Sequence, residues 1–313
     1  MSLKENINFS LWCDFIERDF LENQFQTLVD KEIIHGATSN PAIFESSISN
    51  SVAYRQQLDM LQANEPKTIY EELALSDIRR ASDILHPLHD EKIEDGFISI
   101  EVDPLLCDDE EGTIEEGMRL YKTLANDNVM IKVPATQAGY GAMRKLTSEG
   151  INVNATLIFS PKQAIECSKA LDEGIKLSDK KPQAVVSIFV SRFDKMCDSE
   201  LESKGLPKSK LGIINATKCY HEINKFNNKN IRTLFASTGV KSNDLDSSYY
   251  VNELLYPNSV NTAPLLTLED WMINGKKEPT EVISEDECDE FFASMNSNNI
   301  NINNVYDKLL TNG

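Results

Sequence analysis

Paired cysteines are missing from this chain. Cys13, Cys107, Cys167, Cys197, Cys219 and Cys288 are scattered, with no CxxC pair. That spacing offers no zinc frame and suits reduced thiols in a cytosolic protein. Histidine is scarce: of His35, His86, His89 and His221, only His86 and His89 lie close together, across Pro87 at an expected helix end. No metal is expected there. Cations are outnumbered, 31 lysines and arginines against 50 acids, leaving a formal charge of −19. Nucleic acid, which is bound through clustered cations, is therefore excluded as a partner. A phosphorylated small molecule is not excluded, because salt limits the reach of distant charges to about 8 Å. Such a ligand needs its own basic pocket. Met1 to Trp12 carries no apolar leader-like region and no stretch approaches 18 apolar residues. A soluble, cytoplasmic protein without membrane contact is the expectation.

The chain has 313 residues, 41% of them hydrophobic, and no shift in composition marks a boundary. One domain over 1–313 fits that length for an α/β barrel. Strands are expected at Leu11–Asp14, Gly36–Asn40, Phe97–Val102, Val129–Val133, Asn152–Ile158, Ala184–Val190, Ile231–Ala236 and Ser259–Thr262. Helical sequence separates them at about Asp19–Lys31, Val52–Gln62, Thr68–Leu88, Glu110–Ala125 and Ala138–Ser148. Another helix opens at Ser160-Pro161, a cap with proline in the first turn, and runs to about Leu177. The sequence after Val190 reads as helical to about Asn227, broken near Gly205-Leu206-Pro207. The Asn-rich stretch 296–304 reads as a loop before a last helix, Val305–Leu310. Eight strands with helical crossovers give an α/β fold, a (β/α)₈ TIM barrel with additional helices.

The most informative residue is Lys132, alone in Val129-Met130-Ile131-Lys132-Val133-Pro134. Alternation puts Met130 and Lys132 on one face of that strand. An ammonium among apolar groups loses hydration, which favours the neutral, nucleophilic amine. Bringing a lysine from about 10.4 to about 7–8 costs roughly 3–5 kcal/mol. A strand-end lysine whose head snorkels to water is the alternative. The other strands weigh against it. Ser99 with Glu101, Asn152 with Asn154 and Thr156, Ser187 with Phe189, Thr233 with Phe235 and Ser237, and Thr38 with Asn40 each share one side. In a helix-covered parallel barrel the polar side points inward, and the later residue of each set reaches the C-terminal mouth, where barrel enzymes hold their sites. Lys132, Glu101, Asn154, Thr156, Ser187, Ser237 and Asn40 thus converge on one rim.

A lysine beside a carboxylate and a hydroxyl suits imine formation with a ketone, the protonated imine then drawing electrons from an adjacent carbon–carbon bond. Two proton transfers are needed. Glu101 and Thr156 are placed to flank a water for the first, and Asp14, ending the first strand, to serve the second. Singly, each residue also fits a structural role: Glu101 neutralising Lys132, Thr156 bonding backbone, Asp14 capping a helix.

Several stretches resemble the transaldolase family. Gly36-Ala37-Thr38-Ser39-Asn40-Pro41-Ala42-Ile43-Phe44 is similar to its first signature, and Ile131-Lys132-Val133-Pro134-Ala135-Thr136 with Gly139 to its lysine signature. Glu101-Val102-Asp103, residues 150–160, Ser187 to Arg192 and Ala236 to Lys241 follow in family order. The resemblance implies a barrel that moves a dihydroxyacetone unit between sugar phosphates, with Lys132 forming the imine and Glu101, Thr156 and Asp14 handling water and protons. It also implies that Asn40, Asn154 and Ser187 hold the dihydroxyacetone hydroxyls, and that Arg192 and Ser237 bind phosphate. No organic cofactor or metal is implied, since lysine is the electron sink. Dimers are common among similar proteins, so a homodimer is a possible assembly, although no interface is legible. Two departures, at Gly239 and at Tyr140, stand out. Many relatives carry an arginine where this chain has Gly239, leaving Lys241 as the nearest cation, without the bidentate fork. Arg192 lies off the inward parity of its strand, so the chain must already be turning there. Tyr140 replaces a more usual aliphatic residue, a packing variation. Aldolase-type relatives, which release free dihydroxyacetone, are expected to carry tyrosine where this chain has Phe189. A catalytically silent sugar-phosphate-binding barrel is the third reading.

Overall fold

The computed structural model describes residues 2–241 and 244–312. Eight parallel strands close on themselves in sequence order: β1 (Ser10–Cys13), β2 (Gly36–Ala37), β3 (Phe97–Glu101), β4 (Val129–Pro134), β5 (Asn152–Ile158), β6 (Ala184–Phe189), β7 (Ile231–Ala236) and β8 (Ser259–Ala263). Pairing of β1 with β8 completes the cylinder. The strands expected from alternation are all present, two with the expected bounds and six with an end shifted by one to three residues. Register then decides the interior. Glu101 pairs with Lys132, Lys132 with Asn154, and Pro134 with Thr156.

The barrel fills in layers. Trp12, Phe97, Met130, Val185, Leu234 and Val260 form an apolar plug inside the sheet. Ser99, Asn154 and Ser187 lie above it, and Glu101 and Lys132 above them. Ile98, Ile100, Ile131, Val133, Val153 and Val186 turn outward and pack with Leu120, Leu146, Leu171 and Ile175 of the surrounding helices. Gly139 belongs to the helix Gln137–Ser148, which follows β4 directly. A Cβ there would lie 2.0 Å from the Pro134 carbonyl oxygen, so only glycine permits this tight strand-to-helix turn beside Lys132.

Three expectations need correction. In β7 it is Leu234 and Ala236 that face the interior, while Phe235 packs outward on Tyr220 and Tyr256. Both faces of this strand are largely apolar, so alternation could not orient it. Residues 296–304 are not one loop: a helix Glu285–Ser297 runs into the stretch and the last helix already begins at Ile302. The helix Pro41–Asn50 was not anticipated, although Asn40-Pro41 repeats the cap-and-proline signal of Ser160-Pro161. The segment Thr267–Gly275 forms most of the helix Leu265–Asn274 and its C-cap, Gly275. This helix leads away from the mouth, with Trp271 beside Lys4 and Phe9 at the opposite pole, so it does not cover the site.

That opposite pole is closed by charge. Lys4, on the helix Leu3–Ile7, ion-pairs with buried Asp95. Arg232, inside the barrel, reaches Asp95 Oδ1 at 3.5 Å and donates to Ser10 Oγ at 2.9 Å and to the Ser259 carbonyl at 2.8 Å. Burial pushes the Asp95 carboxyl up, but Lys4, Arg232 and His35 outweigh it and hold the group below the usual range. A depressed carboxylate contributes stability above its unfolded pKa, and that contribution is lost as pH falls through its folded pKa. Asp95→Asn is expected to lower unfolding free energy at pH 7 by about 3–5 kcal/mol, because it strands two buried cations. The deficit should shrink on acidification. Urea titrations at pH 7 and at acid pH check this, and a deficit that is absent or constant with pH contradicts it.

Candidate functional site

At the C-terminal mouth the strand ends surround a cavity of about 680 Å³. Asp14, Asn40, Glu101, Lys132, Asn154, Thr156, Ser187, Phe189, Arg192, Ser237 and Lys241 all line it. With Thr262 and Pro264 of the eighth unit, residues at or just past the ends of all eight strands meet around one space. Thr38 and Thr262 line it as well, and neither was singled out as a site residue from the sequence.

Lys132 is 8% exposed, its amine turned toward the cavity. It is not isolated among apolar groups, as its own strand suggests. Its Nζ lies 3.1 Å from Glu101 Oε2 and donates to the Ser39 carbonyl at 3.2 Å. Ser39 is fixed in turn, its hydroxyl donating to the Ser99 carbonyl at 2.7 Å. The amine thus has a carboxylate and a carbonyl as partners, one at the end of β3 and the other just past β2. Deeper in the barrel, Ser187 Oγ donates to Asn154 Oδ1 at 2.6 Å and Asn154 Nδ2 donates to Ser99 Oγ at 2.9 Å. This chain across β3, β5 and β6 fixes the Asn154 amide in one orientation. The Thr156 hydroxyl is buried at the cavity wall with no protein partner among the described residues. Just beyond it β5 bulges, with Leu157 at φ +58°.

Asp14 emerges from the end of β1 on the opposite side of the cavity. Its Oδ1 accepts from Thr38 Oγ1 at 2.6 Å. Burial pushes this carboxyl above the usual range and Glu101 adds to that, while Lys132, the Thr38 hydrogen bond and Lys241 pull it back. Asp14 caps no helix: among the described residues that role falls to Glu17, whose carboxylate accepts from the Phe20 amide. Asn40 does have a structural task. Its Oδ1 accepts from the Ile43 amide at 3.0 Å as the cap of the helix Pro41–Asn50. Its Nδ2 has no hydrogen-bond partner among the described residues, and Asn40 lines the cavity.

The far wall is cationic. Arg192 sits in the first turn of the helix Ser191–Ser203, so its strand parity no longer applies. Its guanidinium stacks 4.8 Å from the Phe189 ring centroid and 6.0 Å from that of Phe159, and burial lowers its pKa. Cation–π contact holds the group without neutralising it. Neither Arg192 nor Lys241 has a carboxylate partner among the described residues. Ser237 adopts φ +53° at the end of β7, which brings its hydroxyl to 3.2 Å from Ser191 Oγ and into the wall. Leu309 and Asn312, at the end of the last helix, border the groove beyond Arg192 and Lys241. The last helix thus flanks the mouth. Among the described residues no group of His, Cys, Asp and Glu is placed to hold a metal ion.

One end of this cavity is suited to attack on a carbonyl with nearby proton transfer, and the other to an anion. Comparisons with known proteins identify the family. A family profile described as Transaldolase/Fructose-6-phosphate aldolase matches residues 11–313. A transaldolase of Helicobacter pylori (strain ATCC 700392 / 26695) is 47% identical over 305 residues, 97% of this chain and 94% of the relative. A transaldolase of Campylobacter jejuni subsp. jejuni serotype O:23/36 (strain 81-176) is 50% identical over 273 residues, 84% of this chain and 82% of the relative. The chain belongs to the transaldolase/fructose-6-phosphate aldolase family.

Proposed function

We propose that the chain is a transaldolase, moving a dihydroxyacetone unit from sedoheptulose 7-phosphate to glyceraldehyde 3-phosphate to give erythrose 4-phosphate and fructose 6-phosphate. The observation that carries this is a buried amine 3.1 Å from a carboxylate, in a cavity whose far wall holds an arginine with no carboxylate partner among the described residues. In the reaction, the Lys132 nitrogen attacks C2 of the ketose. The carbinolamine loses water, leaving a protonated imine. Asp14 takes the C4 hydroxyl proton and the C3–C4 bond breaks, its electrons passing into the imine to make an enamine while the aldehyde leaves. An acceptor aldehyde enters, the enamine attacks it, Asp14 returns the proton, and water releases the new ketose. Glu101 and Thr156 handle the water and its protons. Asn154, Ser187 and the Asn40 amide hold the dihydroxyacetone hydroxyls. Arg192, Ser237 and Lys241 take the phosphate, Lys241 as a point charge. The chemistry calls for no organic cofactor or metal, since the imine is the electron sink. A cytoplasmic setting suits such substrates and the six free cysteines.

The experiment supplies fructose 6-phosphate with and without erythrose 4-phosphate. Sedoheptulose 7-phosphate is expected only with the acceptor, and little free dihydroxyacetone without it. Rapid release of dihydroxyacetone in the absence of acceptor would make the protein an aldolase instead. The Phe189 ring, which has no proton to give, faces the cavity beside Arg192. Phe189→Tyr is therefore expected to raise the ratio of free dihydroxyacetone to transferred product, measured in the same assay; an unchanged ratio rejects this role for the ring.

Asp14→Asn tests the acid/base assignment. Turnover should fall by about 10²–10⁴-fold, the usual range for such a group. Stability should move the other way. A carboxyl whose folded pKa is raised supports the fold fully below its unfolded pKa and loses that support as pH rises through the folded pKa. At pH 7 the variant should melt at a higher temperature than its parent, the gap closing toward acid pH. A lower melting temperature at pH 7, or turnover within tenfold of the parent, contradicts the assignment.

A further inference from the structure

Asp14 is served by a pair of threonines that meet across the end of its own strand. Thr38, just past β2, and Thr262, on β8, flank β1 from its two sides. Thr38 Oγ1 lies 2.6 Å from Asp14 Oδ1 and 2.7 Å from Thr262 Oγ1. Both threonines are almost wholly buried. Backbone contacts fix the arrangement: the Thr38 amide donates to the Cys13 carbonyl at 2.9 Å, the Asp14 amide to the Ala263 carbonyl at 2.8 Å, and Thr262 pairs with Trp12. The Thr262 carbonyl is itself held by the Thr238 hydroxyl at 2.9 Å.

A hydroxyl has one proton to give. An ionised carboxylate only accepts, so Thr38 must donate to Asp14 Oδ1 and must then accept from Thr262. The order is Thr262 to Thr38 to Asp14. Oδ2 has no hydrogen-bond partner among the described residues, and Asp14 lines the cavity. We infer that Thr262 is a positioning residue which, through Thr38, keeps Oδ1 an acceptor in both protonation states and confines the transferable proton to Oδ2. Without Thr262, Thr38 is free to accept from a protonated Oδ1, and the proton can then sit on the oxygen turned away from the substrate. The other groups facing this carboxyl are Lys132, Glu101 and Lys241, with the Cys13 thiol turned to the Phe15 carbonyl. None of them contacts the two threonines in a hydrogen bond. Successive donors of this kind strengthen one another, so loss of the outer one weakens the inner.

The inference rests on Asp14 being the acid/base of the proposed reaction, and the test separates the two. Thr262→Val keeps the shape and removes the hydroxyl; Thr262→Ser keeps the hydroxyl and removes a methyl. For Thr262→Val, kcat should fall about tenfold, the effect of one hydrogen bond in a reacting array. The acid limb of its pH profile should move to higher pH, because a donor to the carboxylate has been weakened. Thr262→Ser should recover most of kcat and restore the limb. Should Thr262→Val not fold, Thr38→Val removes the inner donor and should shift the limb the same way and further. A parent-like profile and kcat for Thr262→Val, or equal impairment of Thr262→Val and Thr262→Ser, overturns the inference. If Asp14→Asn is inactive while Thr262→Val behaves as its parent, the relay alone fails; if Asp14→Asn retains turnover, the acid/base reading fails first.

Discussion

The pairing of β3 with β4 in one register puts Glu101 beside Lys132, and most of what this protein does depends on it. Side chains on a strand alternate, so a slip of one residue would send both groups outward beneath the helices. Register is held by what lies on the other face: Ile98, Ile100, Ile131 and Val133 are all buried there. Reversing them would drive four large aliphatic side chains into the already filled barrel interior and bury a carboxylate and an ammonium beneath the helices, away from the cavity. The outer core therefore aims the inner site. Gly139 adds to this by letting the next helix turn back immediately after the strand that carries the lysine.

Charge is arranged by the same separation of tasks. The chain is strongly acidic overall, yet its mouth holds Arg192 and Lys241 without carboxylate partners among the described residues. At the other pole Lys4 and Arg232 are spent on Asp95, closing the barrel. Lys4, Arg232 and Lys132, the buried cations, each have a carboxylate within reach, whereas half-buried Arg192 and exposed Lys241 have none among the described residues. Stacking on Phe189 lets Arg192 be half-buried without an acid beside it. Asp14 is the complementary case, a carboxyl kept above its ordinary range by burial and steadied by one hydroxyl. Groups with displaced titration in a shared cleft are a recurrent mark of function.

Much of the barrel was legible because its inward polar residues interrupt otherwise apolar strands. Lys132 in β4, Asn154 and Thr156 in β5, and Ser99 and Glu101 in β3 each declared a face. In β7, by contrast, Leu234 and Phe235 are both buried, one inside and one outside, and alternation carries no sign. Ser237 still reached the mouth, through a left-handed turn that strand parity does not describe. Arg192 came from a motif, and its departure from parity is explained by the helix that begins one residue earlier. The partnership of Thr38 with Thr262, 224 positions apart, left no local trace. Contacts of that kind follow from closure of the barrel, and no window of sequence contains them.

The central claim is that the amine of Lys132 attacks the substrate carbonyl, and reductive trapping tests it most directly. The protein is incubated with fructose 6-phosphate, reduced with borohydride, digested and mapped by mass. A dihydroxyacetone- or ketose-derived adduct on the peptide containing Lys132, and on no other, is the predicted result. An adduct on a different lysine, or none while transfer activity persists, would contradict the account.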